Sequence, residues 1–355
     1  MTRSLAARKP TDEATSSQQL IAAIDRYYAD LNQAVREGTP YLAVPIDLIR
    51  VDRIPDVALF LPSENGAPPK VFRPAGLYMS QIEIDTLASN GVTSLLIAIY
   101  DANPFTGYVE GVLTELPPSS HIADEKKVQL LRSNAISVMQ DILNSPTPEN
   151  IERGTKTVTG FVYVLMKDPR AYGMLLSLSS HDHYTLQHSV GVSTNAIILA
   201  HKLGIQDERA LIEVGVGALI HDIGKTKVPT EIINKKGPLD EAEWAIMKQH
   251  SRFGYELIKD NPNVGMRAKL AVLQHHEEPA GTGYPLGLKS EQIDLYAKIV
   301  TLADIYNALT TDRSYSTAKP PFEAFKLIRD KLSHKIDHAL FEQLVMIYGG
   351  TKPSS

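Results

Sequence analysis

The spacing of apolar residues along this chain changes character several times, and each change marks an expected element. Residues 1–16 are polar and are expected to form a disordered tail. Leu20, Ile24, Tyr27, Leu31 and Val35 then fall at helical spacing, and Gly38 and Pro40 stop the run. This predicts an amphipathic helix over 17–36 docked on its own domain, with homo-oligomerisation as its second reading. From Tyr41 to Leu116 the apolar segments shorten to YLAVPIDLI, VALFLP, LLIAIY and YVEGVLTEL, separated by clusters such as SENGAPP and DANPFTG. These segments read as strands. One helix is expected at Gln81–Ser89, closed by Asn90-Gly91.

Pro117-Pro118-Ser119-Ser120 reads as a boundary. Beyond it, Val128, Leu131, Ala135, Val138 and Ile142 predict a connecting helix that ends before Pro146 and Pro148. From Asn150 onward the long segments keep helical periodicity, and no internal repeat stands out. The expected fold is therefore multidomain α+β: a small α+β domain over 17–118, a connecting helix over 119–148 and an all-helical domain over 149–350. The first of these carries no His, Asp or Glu residues at ligand spacing, so a regulatory or interaction role is expected for it.

Within the helical domain, ionisable residues interrupt apolar runs where burial would make them costly. Leu211, Ile212, Val214, Val216, Ala218, Leu219 and Ile220 form a nearly all-round apolar helix that runs directly into His221-Asp222. Such a pair at the end of a buried helix needs metals or polar partners; helix capping is the simpler reading of the dipeptide alone. Lys225 lies three residues beyond Asp222 and can project to the same place if helical geometry persists. His250 follows Trp244 and Met247 in a helix whose buried face also takes in Phe253 and Leu257. Taken alone, it reads as a satisfied core histidine. His275-His276 end another apolar helix, with Glu277 placed to orient a ligand imidazole. Asp304 sits among Ile299, Val300, Leu302, Ala303 and Ile305, and requires either a metal or a salt bridge to Arg313 or Lys298. Spacing does not choose among His181, His183, His188 and His201.

The chain contains 11 histidines and no cysteine, which excludes disulfides, thiolate metal sites and a cysteine nucleophile. Imidazole and carboxylate donors suit hard or borderline divalent cations. The series His188, His221, Asp222, His250, His275, His276 and Asp304 offers more ligands than one ion needs, which points to a two-metal centre and to phosphate-ester hydrolysis. A net charge of -5 argues against a protein that coats nucleic acid or membrane surfaces. No apolar run approaches the ~18 residues of a membrane span, so a cytoplasmic location is expected.

The stretches DHYTLQHS (182–189), HDIGK (221–225), KKGPLDEAEW (235–244), MKQH (247–250), HHEEPAGTGYP (275–285) and LADIYNALTTDRSY (302–315) resemble, in order and spacing, the HD-GYP branch of the HD phosphohydrolase superfamily. The resemblance implies an all-helical bundle that hydrolyses cyclic di-GMP to pGpG or GMP, with cyclic GMP-AMP as a second substrate. It implies two divalent metal ions, iron or manganese, with a hydroxide held between them as nucleophile. It selects His188 as the first ligand and Asp222 as the bridge between the ions. Lys225 would contact a scissile phosphate oxygen and protonate the leaving group, and Arg313 would meet the phosphate. Gly283, Tyr284 and Pro285 would form the signature loop beside the substrate. His181, His183 and His201 match no ligand position.

The chain departs from the pattern at several positions. Tyr184 stands where some members carry a third-metal glutamate, which favours two metals. Ala280 replaces an aspartate, Pro279 stands where an aromatic is common, and Ser316 replaces a basic residue after Arg313. Ala280 and Ser316 are the basis of a second reading: a metal-bearing nucleotide receptor or interaction module that contacts diguanylate cyclase (GGDEF) proteins through the GYP loop. Branches of the superfamily that act on nucleoside triphosphates or ppGpp lack the HHE…GYP element.

Overall fold

The computed structural model describes residues 10–63, 67–115, 121–167, 185–311 and 317–349. The chain divides into two compact units, Met1–Leu130 and Leu131–Ser355. It is mostly helical, with one small antiparallel sheet in the first unit.

The first unit opens with helix α1 (Pro10–Glu37), so residues 10–16 of the expected tail are helical, while 1–9 lie outside the described residues. Proline is favoured as a first helical residue because it lacks only an N–H that would go unpaired there. Once the buried Leu20, Ile24 and Tyr27 anchor the helix, extending it backwards into polar sequence costs little. Strands β1 (Tyr41–Pro45), β2 (Leu59–Leu61), β3 (Lys70–Arg73) and β4 (Ser94–Ala98) form an antiparallel sheet in the order β1-β4-β2-β3. The pairs Leu42↔Ile97 and Val44↔Leu95 are fully buried, which fixes the register, because a one-residue slip would turn all four outward. Helix α2 (Gln81–Ser89) starts at a capping box between Ser80 and Glu83 and is followed by Gly91 at φ +83°.

The segment YVEGVLTEL, expected as a strand, lies instead in helix α3 (Ala102–Glu115). Asn103-Pro104 has the composition of a turn. Proline is tolerated in the first helical turn, and Phe105, Thr106, Val109 and Glu110 are buried at helical spacing. Tyr27 of α1 packs on Phe105 and shares a 2.7 Å hydrogen bond with Thr106.

Helix α4 (His121–Asn144) contains the division between the units. The second unit continues with α5 (Pro148–Lys167), α6 (Thr185–Lys202), α7 (Glu208–Leu219), α8 (Thr230–Ile233), α9 (Glu241–Met247), α10 (His250–Ile258), α11 (Met266–Gln274), α12 (Leu295–Thr310), α13 (Pro321–Lys331) and α14 (His338–Gly349). Helix α7 packs against α5, α6, α11 and α12, which accounts for its all-round apolar sequence. Two glycines make this close packing possible. A Cβ at Gly215 would lie 2.6 Å from Val158 and 2.7 Å from Ile197, and one at Gly217 would lie 3.1 Å from the Ala268 backbone.

Candidate metal centre

Four helix ends and the body of α12 deliver the ionisable residues to one place. Helix α7 finishes at Leu219, and a 3-10 turn at Ile223–Lys227 takes over, so His221 and Asp222 sit in the break, both buried. Gly224 seats this turn: a Cβ there would fall 1.8 Å from the His250 carbonyl oxygen and 2.3 Å from the Gly254 nitrogen. His250 opens α10. The expected single helix through 240–258 is broken at Lys248-Gln249, and its buried face is His250, Ser251, Gly254 and Ile258. Trp244 is 46% exposed, and Phe253 and Leu257 are half-buried. His275 and His276 follow α11, His188 lies in the first turns of α6, and Asp304 faces inward from α12.

Ligand atoms of three groups lie within 4.8 Å of one another: His250, His275 and His276; His188, His221 and Asp304; and His221, Asp222 and His275. Together these hold all seven residues of the expected ligand set. Asp222 spans the groups, with Oδ1 3.4 Å from His250 Nε2 and Oδ2 3.4 Å from His221 Nε2.

The ring nitrogens that face away from the centre have fixed partners. Nδ1 of His221, His250 and His275 donates to the carbonyl three residues earlier, at Ala218, Met247 and Val272, over 2.8–2.9 Å. His188 Nδ1 donates to Asn307 Oδ1 at 2.8 Å. A carbonyl oxygen only accepts, so Nε2 of each neutral ring carries a lone pair aimed into the centre. Nε2 of His250 and His275 then meet at 3.3 Å as two acceptors. Nε2 of His221 is buried with no hydrogen bond. Converging lone pairs and an orphaned buried acceptor fit cations and fit little else among protein partners. Glu277 does not orient an imidazole. Its two carboxylate oxygens each accept a 2.7 Å bond from the backbone, at Leu286 and Leu288.

Titration follows burial and neighbours. Burial and the surrounding histidines hold His275 well below the usual imidazole range and push His276 to about 3, and burial also lowers His250. These three rings are neutral at pH 7. Burial also pushes His221 down, but Asp222 and Asp304 outweigh it and the net shift is upward. Asp222 is held well below the carboxylate range, with burial overcome by Lys225, His221 and His250. Asp304 is lowered in the same way, chiefly by His188, whose Nε2 lies 3.0 Å from its Oδ1.

The other expected site residues fall around this centre. Lys225 Nζ bonds Asp222 Oδ2 at 2.6 Å. Tyr284 stacks on His276 at 4.8 Å between ring centres and donates its backbone N–H to the His276 carbonyl. Gly283 is required beneath it, because a Cβ would lie 2.3 Å from the Glu278 nitrogen. Pro285 and Tyr284 line a neighbouring cavity. Ala280 is exposed and forms an isolated bridge with Lys289. His201 sits near the far end of α6, about 20 Å along the axis from His188. Lys298 pairs with Asp337 at 3.2 Å and not with Asp304. His181, His183, Tyr184, Arg313 and Ser316 lie outside the described residues.

Sequence reading missed Asn307 and Gly191. A Cβ at Gly191 would come within 2.4 Å of Asn307 Nδ2, so this glycine makes room for the amide that holds His188. A detectable signal existed: Asn307 follows Asp304 by three residues on one helix and so shares its face.

The family model described as HD domain matches residues 138–340. Over 185 residues the chain is 36% identical to the cyclic di-GMP phosphodiesterase PA4108 of Pseudomonas aeruginosa, covering 52% of this chain and 44% of that protein. It is 35% identical to the 3'3'-cGAMP-specific phosphodiesterase 3 of Vibrio cholerae, over 49% of this chain and 37% of the relative. The matches thus span less than half the length of these relatives. Among solved structures, the chain shares its fold with Bd1817, an HDG"Y"P protein of Bdellovibrio bacteriovorus, with a TM-score of 0.59 and 20% identity over 87% of this chain and all of that one. With the ligand series converged in the second unit and the GYP loop folded against it, the chain belongs to the HD domain family, in its HD-GYP branch.

Proposed function

We propose that the protein is a divalent-metal-dependent phosphodiesterase that hydrolyses cyclic di-GMP to pGpG or GMP. The observation that carries this reading is the convergence of five imidazoles and two carboxylates with unpaired Nε2 lone pairs at their centre. The printed activities of the relatives supply the substrate class. His250, His275 and His276 would hold one ion, His188, His221 and Asp304 a second, and Asp222 would bridge them through its two oxygens. Iron or manganese suits this donor set. When bound, such a pair supplies Lewis acidity and an activated water.

The chain's own residues orient the reaction. Asp222 holds Lys225 beside the centre, where the ammonium stabilises charge on a non-bridging phosphate oxygen. Water oxygen bonds to phosphorus and releases a proton to solvent, the bond from phosphorus to the 3′ oxygen breaks, and Lys225 gives that oxygen a proton that solvent then restores to the amine. Arg313 is assigned to the phosphate, and the region 17–118 to regulation or to contact with GGDEF proteins. Protein loaded with iron or manganese should convert cyclic di-GMP to pGpG or GMP, and Asp222→Ala should lose both metal and turnover. Tight binding without hydrolysis under every metal loading would reject this reading in favour of a nucleotide receptor.

A further inference from the structure

Helices α11 and α12 bring His275, His276 and Asp304 to the centre, and the two helices pack on each other. Their buried residues are mostly apolar, among them Ala268, Ala271 and Val272 on α11 and Ala297, Val300 and Ala303 on α12. Apolar contact is non-directional. It fixes such a pair less sharply than hydrogen bonds do, whose lengths vary by only a few tenths of an ångström. Polar ties between the two helices meet α12 at two places. Asp294 caps α12 by accepting from the Tyr296 N–H at 2.7 Å, and its carboxylate also accepts from Arg267 Nε at 3.0 Å. The backbone N–H of Asp294 donates to Gln274 Oε1 at 2.8 Å. About two turns further along, the buried Thr301 hydroxyl lies 2.7 Å from the His275 carbonyl oxygen and 2.9 Å from that of Ala297.

We infer that Thr301 is a positioning residue that holds His275 and His276 in place relative to Asp304, an assignment that rests on the hydrolytic reading above. The hydroxyl has one proton and two oxygens within reach. Ala297 precedes Thr301 by four residues in α12, so its carbonyl takes the helical N–H of Thr301. His275 lies just past the end of α11 and is fully buried, and among the described residues no backbone N–H reaches its carbonyl. Leaving that carbonyl unpaired is the costlier choice, so the proton goes to His275. The carbonyl belongs to the peptide bond that joins His275 to His276. Asp304 follows Thr301 by three residues and shares its face of α12. One hydrogen bond thus sets the peptide carrying two imidazoles against the helix carrying a carboxylate. Thr301 acts through the backbone, and Asp294 supplies the second anchor that stops α11 from pivoting about it.

Thr301→Ser and Thr301→Ala both remove the methyl group and differ only in the hydroxyl, so comparing them isolates the hydrogen bond. Chelator competition on the full chain loaded with manganese(II) or iron(II) reads the effect. Thr301→Ser should hold metal within about twofold of the unsubstituted chain, and Thr301→Ala roughly tenfold more weakly. At saturating metal, kcat for bis(p-nitrophenyl) phosphate should fall roughly tenfold in Thr301→Ala with KM nearly unchanged, because displaced ligands alter the reacting centre rather than substrate contacts. Thr301→Val keeps the β-branch, should match Thr301→Ala, and serves in its place if Thr301→Ala does not fold. A threonine that only stabilises the fold would lower Tm in Thr301→Ala while metal affinity and kcat stayed equal to those of Thr301→Ser. That result, in a protein that cleaves cyclic di-GMP, overturns the positioning role and leaves the hydrolytic reading standing. Weaker metal binding in Thr301→Ala than in Thr301→Ser, in a protein that cleaves no diester, leaves the positioning role and removes the hydrolase. An unsubstituted chain that takes up neither metal overturns both.

Discussion

The centre depends on residues that never touch its interior. Each imidazole presents Nε2 because Nδ1 is committed elsewhere, and for His221, His250 and His275 the partner is a backbone carbonyl that substitution cannot remove. His188 alone among these four relies on a side chain, Asn307. Asn307→Ala should therefore free the ring to rotate or to change tautomer and weaken metal binding at the His188, His221 and Asp304 group by about 10–100-fold. Competition with a metal chelator, followed by metal analysis, measures the loss. Unchanged affinity would mean that packing rather than the amide orients His188. Residue identity alone made five of the seven candidate ligands stand out as costly when buried, and the family pattern separated His188 from three neighbours. Spacing could not reveal the Nδ1 partners, because three of them are carbonyls that any residue supplies. Glu277 shows the converse problem: it stands where a partner for an imidazole would, yet backbone N–H groups at Leu286 and Leu288 claim both its oxygens.

At the scale of elements, most of the candidate ligands lie where helices begin or end, with Asp304 in the body of α12 excepted. The α7 helix gives way to a 3-10 turn, and α9 and α10 part at Lys248-Gln249, so that His221, Asp222 and His250 occupy ends rather than helical surfaces. The two breaks are fitted to each other through Gly224, which leaves no room for a Cβ against the His250 carbonyl. Gly224→Ala should push the turn away from α10, costing about 1–3 kcal/mol of overpacking and separating Asp222 from His250. Lower thermal stability together with reduced metal content is expected; an intact centre in this variant would show that α10 can shift without cost. Hydrophobic periodicity located α7 and α12 because each is long and strongly apolar, and α11 because its apolar positions keep the helical period. It missed the break before His250, since Trp244 and Met247 continue the apolar period although Trp244 faces the neighbouring cavity rather than the core. It also missed α3, where Pro104 imitates a turn while sitting in the first turn of a helix.

Across the whole molecule, four histidines and two aspartates of the centre, buried or half-buried, link folding stability to pH. An unperturbed imidazole titrates near ~6.5. His250, His275 and His276 are shifted below that in the folded state, His276 to about 3. As pH falls below ~6.5 the unfolded chain takes up protons on these rings and the folded chain does not, so stability declines. For His276 the decline reaches about 2 kcal/mol at pH 5. His221, shifted upward, acts in the opposite sense: its contribution is fully present below ~6.5 and is lost as pH rises through its folded value. One such residue against three leaves acidification destabilising. Asp222 and Asp304, both lowered, add a further loss once pH passes below the ordinary carboxylate range. The metal-stripped protein should therefore show a Tm that falls steadily from pH 7 to pH 5 and more steeply below pH 4. His276→Asn should flatten the upper part of that curve, because it removes a group that must stay neutral to fold. Metal-loaded protein should start from a higher Tm and lose it over the same range, since protons then compete with cations for the ligands. A Tm that is constant or rises between pH 7 and pH 5 in the metal-free form would mean that these rings are solvated and charged, and that the centre is not preformed before metal arrives.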